Sequence, residues 1–213
     1  MRLRVITAVS IGILTLVCLE FGSPTRVACI GDSVTAGDAS ANYPLELQTL
    51  LGERFDVRNF GVGASALLKK STRSYWVAQA FIDAKQFEPD IVIINLGIND
   101  TKVENWEYKD DFQNDYVAMI DELVALPSSP RIYLCLPTPL FLEDRFGIRK
   151  AVLEQEVIPR IREVALLKKL PIIDLQTPLA DKPELFGDFV HPNSQGMQIV
   201  ATSVAAAIKQ GGA

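Results

Sequence analysis

The sequence predicts an α/β fold, a three-layer αβα sandwich around a five-stranded parallel sheet. Three observations carry this. Five short apolar runs alternate with stretches of helical periodicity, as in βαβ units. One run, Ile91-Val92-Ile93-Ile94-Asn95-Leu96, is apolar on both faces, as a central parallel strand must be. Polar or glycine-bearing loops follow the first three runs, where open α/β sheets carry their sites. The chain has 213 residues, 48% apolar and 22% charged, which suits one domain with its own core.

The elements follow in order. Residues 27–30 form the first strand and end at Gly31-Asp32-Ser33. Residues 44–53 read as a helix, with Pro44 in its first turn and Leu45, Leu47, Leu50 and Leu51 on an apolar side. Residues 57–60 are a second strand, and Gly61-Val62-Gly63 follows as a loop. Residues 76–86 read as helix and stop at Glu88-Pro89-Asp90. After the strand at 91–96 comes the loop Gly97-Ile98-Asn99-Asp100. Phe112, Tyr116, Met119, Ile120 and Leu123 give residues 110–126 an amphipathic helical pattern, broken by Pro127 and Pro130. Residues 132–136 form the fourth strand. Residues 148–169 are mostly helical, with a kink or split expected at Pro159. Residues 171–175 are the last strand and 177–190 a loop. Asn193 caps a final helix running to about residue 209. Right-handed crossovers put helices on both faces of the sheet.

The chain divides into residues 1–24 and a domain at 25–213. A short basic start, Met1-Arg2-Leu3-Arg4, precedes an uncharged apolar run at 5–19, the pattern of a secretory signal. The segment is read as a signal peptide for periplasmic or secreted export, or as an uncleaved membrane anchor. Net charge is −5, without a basic block, so nucleic acid is not an expected partner. Cys29 and Cys135 sit inside apolar runs and read as packing residues, and the spacing of the three cysteines suits neither a disulfide framework nor a zinc site.

Four loops carry candidate chemistry: Gly31-Asp32-Ser33, Gly61-Val62-Gly63-Ala64, Gly97-Ile98-Asn99-Asp100 and Asp188-Phe189-Val190-His191. Acyl transfer needs a nucleophile, a base, a group that orients the base, and donors for the oxyanion. Ser33 offers a hydroxyl, and His191 is the only histidine in the chain. Asp188 stands three residues before it, within reach through a turn. Asn99 offers a side-chain amide, and Gly63 and Ala64 offer backbone N–H groups. Each also has a plainer reading: Ser33 as a helix cap, Asp188 as a turn cap, His191 as a loop residue, Asn99 as part of a turn.

Taken together, Gly31-Asp32-Ser33, Asn59-Phe60-Gly61-Val62-Gly63, Gly97-Ile98-Asn99-Asp100 and Asp188-Phe189-Val190-His191-Pro192 resemble the four sequence blocks of the SGNH (GDSL-type) hydrolases, in that family's order. The resemblance implies a flavodoxin-like αβα sandwich and ester hydrolysis with no metal or cofactor. It implies Ser33 as nucleophile, His191 as base and Asp188 as its orienting residue. It implies an oxyanion hole from the Ser33 N–H, a glycine N–H of the second block and the Asn99 side chain. The family's second block reads Asn-x-Gly-x-x-Gly, whereas this chain has Ala64 in the last place and Gly63 just before it. An alanine there is expected to donate its N–H if its φ is negative.

Further stretches around Tyr75-Trp76 and Asn105-Trp106 resemble the sialate O-acetylesterase-like or carbohydrate-acetylesterase-like branch. That branch implies acetyl esters on carbohydrate, with Trp76 and Trp106 either stacking on sugar or packing in the core. Two rivals stay open: a lysophospholipase or thioesterase of the same fold, with an apolar groove along Leu140-Phe141-Leu142, and a catalytically silent glycan-binding domain.

Overall fold

The computed structural model describes residues 22–38 and 41–211. The readings of residues 1–19, including Cys18, lie outside them.

The central sheet starts with β1 (Thr25–Gly31), followed in sequence by β2 (Phe55–Gly61), β3 (Ile91–Asn95) and β4 (Arg131–Leu136). A separate antiparallel ladder pairs β5 (Asp144–Arg145) with β6 (Ile148–Arg149). The strand β7 (Ile172–Asp174) closes the main sheet, which is parallel throughout in the order β2-β1-β3-β4-β7. The order reverses direction between β1 and β3, which makes their carboxyl ends the switch point of the fold.

Strand alternation explains the two cores. Val27 and Cys29 of β1, Ile91 and Ile93 of β3, and Tyr133 and Cys135 of β4 point to one face. There they pack under α2 (Tyr43–Leu51) and α8 (Ser194–Gly211). Ala28 and Ile30, Val92 and Ile94, and Ile132 and Leu134 point to the other, under α3 (Gln79–Gln86), α5 (Phe112–Val124) and α7 (Ile158–Lys168). Each fully buried Val, Ile or Leu contributes roughly 1.5–3 kcal/mol, so both faces are needed to hold so thin a sheet. Cys29 and Cys135 are free and buried, and burial pushes the Cys29 thiol up to about 12.

The structure differs from the expected elements in informative places. Residues 76–86 do not form one helix. A 3₁₀ turn, Tyr75–Val77, is separated from α3 by the extended Ala78 (φ −73°, ψ 139°). Side chains dictate this: the Tyr75 hydroxyl donates to the Phe60 carbonyl at 2.6 Å and Trp76 Nε1 to the Leu67 carbonyl at 2.9 Å. Near Pro159 the chain neither kinks apart nor stops. The helix runs from α6 (Lys150–Val152) through a π turn, Leu153–Val157, into α7, whose first turn holds the proline. A widened turn next to a residue that lacks an N–H accommodates the missing bond. The 177–190 loop contains two 3₁₀ turns, Thr177–Leu179 and Pro183–Leu185.

Candidate active site

Ser33 opens the short helix α1 (Ser33–Ala36), directly after β1. Gly31 makes this turn possible, since a Cβ there would lie 2.0 Å from Thr35 Oγ1 and 2.7 Å from the Asn95 carbonyl oxygen. Gly61 does the same on the neighbouring strand, where a Cβ would stand 2.2 Å from the Ala36 nitrogen. Asp32 caps α1, its Oδ1 accepting from the Val34 N–H at 2.9 Å. Capping therefore falls to Asp32, and the Ser33 hydroxyl is left for another partner.

That partner comes from the far end of the sequence. Asp188 Oδ1 accepts from the backbone N–H groups of Val190 (3.0 Å) and His191 (2.8 Å), forming a tight turn. Phe189 takes φ +70° inside it. Asp188 Oδ2 then lies 2.6 Å from His191 Nδ1, and His191 Nε2 lies 2.8 Å from Ser33 Oγ. A carboxylate on Nδ1 keeps the proton there and leaves the Nε2 lone pair facing the serine hydroxyl. Partial burial works against the Asp188 charge, but the bonds from the His191 N–H, its ring and the Val190 N–H outweigh it and hold this carboxyl below its usual range.

Asn99 starts the 3₁₀ turn Asn99–Thr101 after β3 and is buried. Its Nδ2 donates to the Ser65 carbonyl at 3.1 Å, which orients the amide and leaves a second N–H on the same nitrogen. Two neighbours tie the second-block loop to this turn. Asp100 accepts from the Leu67 and Leu68 N–H groups at 2.9 and 2.8 Å. Asn105 donates to the Asn99 carbonyl at 2.9 Å and accepts from the Thr72 N–H at 3.0 Å.

Ala64 has φ +60°, so the negative φ expected of an alanine donor is not found. The loop keeps the left-handed turn that glycine ordinarily occupies, and alanine stands in it. A positive φ redirects the N–H rather than removing it. Gly63 is not in that region and has open space where a Cβ would be.

Ser33 and His191 separate two cavities of about 410 Å³ each. One is bounded by Gly63, Ala64 and Asn99, with Arg73, Lys102, Phe146 and Ile148 on its outer wall. The other runs past Gly37, Asp38 and Met197. A larger void of about 730 Å³ lies at the amino end of the sheet, by Thr25 and Arg54, away from these groups.

Sequence reasoning missed three contributors. Asp32 is buried beneath the serine, and burial, together with the nearby Asp100 charge, raises its carboxyl to about 7 despite the bond from Val34. Burial likewise raises Asp100 to about 6. The β5–β6 hairpin brings Phe146 over the site, its ring 6.2 Å from the His191 ring. Its signal was Phe146-Gly147, both left-handed (φ 58° and 75°), a turn pair between short strands.

Three open alternatives are narrowed. Trp106 is buried, edge-on to Phe112, and faces no cavity beside Ser33. Trp76 packs edge-on to Phe81 with Lys69 Nζ over its ring, so neither tryptophan is placed to stack on a sugar. Leu140 is buried and Phe141 packs on Phe186, so the stretch at 140–142 lines no groove beside Ser33.

Comparison with known proteins gives this arrangement a family. The chain is 40% identical over 207 residues to an acetylxylan esterase of Xylanibacter ruminicola, covering 86% of this chain but only 43% of that protein. In fold it matches a crystal structure of an acetyl xylan esterase (TM-score 0.68, 23% identity, covering 86% of this chain and 99% of that one). It also matches a carbohydrate acetylesterase from Sinorhizobium meliloti (TM-score 0.68, 16% identity, covering 87% and 99%). The sequence profile of the GDSL-like lipase/acylhydrolase family matches residues 29–199, and the chain belongs to that family.

Proposed function

We propose that this domain is a serine esterase that removes acetyl groups from carbohydrate. The single observation that carries the reading is the continuous relay from Ser33 Oγ through His191 to Asp188, with contacts of 2.8 and 2.6 Å. Ser33 Oγ attacks the ester carbonyl as His191 Nε2 takes its proton. The oxyanion is met by the second Asn99 N–H, the Ser33 N–H and an N–H of the Gly63–Ala64 loop. The imidazolium then gives its proton to the departing sugar oxygen, leaving acetyl on Ser33. Water, deprotonated by His191, attacks that ester, acetate leaves, and the proton returns to Ser33. Asp188 holds the imidazole in the required tautomer and stabilises its charged form.

The acetyl and carbohydrate parts rest on the relatives and on the rim. Two cationic residues, Arg73 and Lys102, border the cavity lined by Gly63, Ala64 and Asn99, which favours a polar substrate over a long acyl chain. Phe146 is 53% exposed at the mouth of that cavity, an aromatic face available to a sugar ring. The apolar run at 5–19 supports export to where such glycans occur, and deletion of residues 1–22 should leave a folded, active enzyme.

The test is acetate release from acetylated xylo-oligosaccharides beside 4-nitrophenyl esters of rising chain length. Turnover should fall steeply beyond short acyl groups. A fluorophosphonate should phosphonylate Ser33 with loss of HF, adding its mass less that of HF, and should label nothing in Ser33→Ala. Wild-type turnover by Ser33→Ala would end the proposal.

A further inference from the structure

Nine of the nineteen lysines and arginines among the described residues pair with carboxylates. Arg26 pairs with Asp90, Arg58 with Asp56, Lys70 with Asp111 and Lys109 with Glu156. Arg73 and Lys102 have no such partner among the described residues, yet both line the same cavity as Ser33, Asn99 and His191. Among the described residues no Asp or Glu lines that cavity, in a chain whose net charge is −5. The placement of the two residues is fixed by the fold rather than by a floppy tail. The Arg73 carbonyl accepts from the Ala66 N–H at 2.9 Å, and the Lys102 N–H donates to the Asn99 carbonyl at 3.4 Å. The first bond anchors the loop that carries Ala64, and the second anchors the turn that carries Asn99.

Two cations without counter-charges, beside the position of a neutral ester, leave favourable potential unused by the chemistry itself. The oxyanion is served by N–H donors closer in. From this juxtaposition, and resting on the carbohydrate reading above, we propose that Arg73 and Lys102 form a subsite for a carboxylate on the glycan, such as a uronic acid near the acetylated sugar. Arg73 supplies a planar fork that matches a carboxylate, and Lys102 a point charge at the same cavity. Phe146, which lines that cavity too, offers a face to the sugar that bears the carboxylate.

The experiment uses acetylated xylo-oligosaccharides carrying a uronic acid branch, and the same material after reduction of its carboxyl to an alcohol. For the full chain, kcat/KM should be about tenfold higher for the acidic form, chiefly through KM, and the ratio should shrink with salt, as an exposed ion pair does. Arg73→Gln and Lys102→Gln should each lower the ratio, and the double variant should bring it near one. Equal kcat/KM for the two forms in the parent chain, or a ratio that persists in the double variant, overturns the subsite while leaving the esterase reading intact. Cleavage of 4-nitrophenyl acetate with neither oligosaccharide cleaved overturns the carbohydrate reading and the subsite with it.

Discussion

Two regions meet at Ser33 and are built in opposite ways. Beneath it, the carboxyl ends of β1 and β3 deliver Asp32, Asn99 and Asp100, all buried and each bonded to backbone. Around it, the β5–β6 hairpin is largely exposed, paired by a two-residue ladder and tied to the floor through Arg149, whose N–H and Nε donate to Thr101 at 3.1 and 2.6 Å, with Phe146 and Arg145 leaning on each other. The floor holds atoms whose placement to a fraction of an ångström decides rate. On the proposed function, the rim meets the part of the substrate that varies. Rate and selectivity would then sit on separate elements, and substitutions should separate accordingly: floor changes in kcat or stability, rim changes in KM.

The largest effect should come from the floor. Asn99→Ala should lower kcat by about 10²–10³-fold with little change in KM, because its free N–H acts in the transition state. Steady-state kinetics with 4-nitrophenyl acetate decide this, and an unchanged kcat would reduce Asn99 to a turn residue.

The second prediction concerns Asp32. Its carboxyl titrates near 7 in the fold, against about 3.9 in an unfolded chain. Between those values the folded protein holds a proton that the unfolded chain has released, so stability falls as pH rises from about 4 to about 7 and then levels. Asp100, raised to about 6, contributes in the same direction. Asp188 has the opposite sign, but its lowered value confines that effect to pH below about 4. Asp32→Asn keeps the cap to Val34 and cannot ionise. It should flatten the fall in unfolding free energy across this window, by an amount on the order of a few kcal/mol. Parallel stability curves for the two proteins would show that Asp32 ionises at its ordinary pH. The same variant sorts the pH–rate profile, since an acidic limb near 7 that persists in it does not report Asp32.

The rim should respond more weakly. Phe146→Ala should raise KM for acetylated oligosaccharides about three- to tenfold, the scale of one lost aromatic contact, with kcat within about twofold. A kcat loss as large as that of Asn99→Ala would break the division between floor and rim. The smallest effect should be Ala64→Gly. Relief of the left-handed alanine is worth about 1 kcal/mol, part of it returned as glycine's chain entropy, so Tm should rise by roughly one to three degrees. A lower Tm in thermal melts would show that the stiffness of alanine matters more than its strained φ.

The same division governs what the sequence made legible. The sheet was readable because buried parallel strands are short, β-branched apolar runs, and Ile91 to Ile94, bounded by Pro89-Asp90 and Gly97, is too short for a buried helix. Ser33, Asn99, Asp188 and His191 were readable as a set because the four family-like blocks occur in order and His191 is the only histidine, although each residue alone reads as an ordinary cap or turn. Their convergence was not readable from spacing, since it depends on α8 and the turn before it reaching the β1 end. Asp32 was passed over because a cap and a buried acid look alike until burial is known. Phe146 was hidden because a two-residue ladder leaves no alternation to detect. Trp76 and Trp106 were left open between sugar and core because an indole reads the same in sequence whether it faces solvent or packs on Phe81 or Phe112.

The contact between Ser33 and His191 also has a consequence in time. The two residues are 158 positions apart, and the turn that carries His191 runs straight into α8, which packs on α2. Contacts of such separation close late, after the local pairs of the sheet have formed. During synthesis the serine emerges early and waits through four further strands of the main sheet before its base exists. On the proposed mechanism the nascent chain is therefore inert toward esters until residue 191 has left the ribosome and the last helix has docked. Returning turnover would then act as a clock for that final docking step, running behind any probe of strand or helix content.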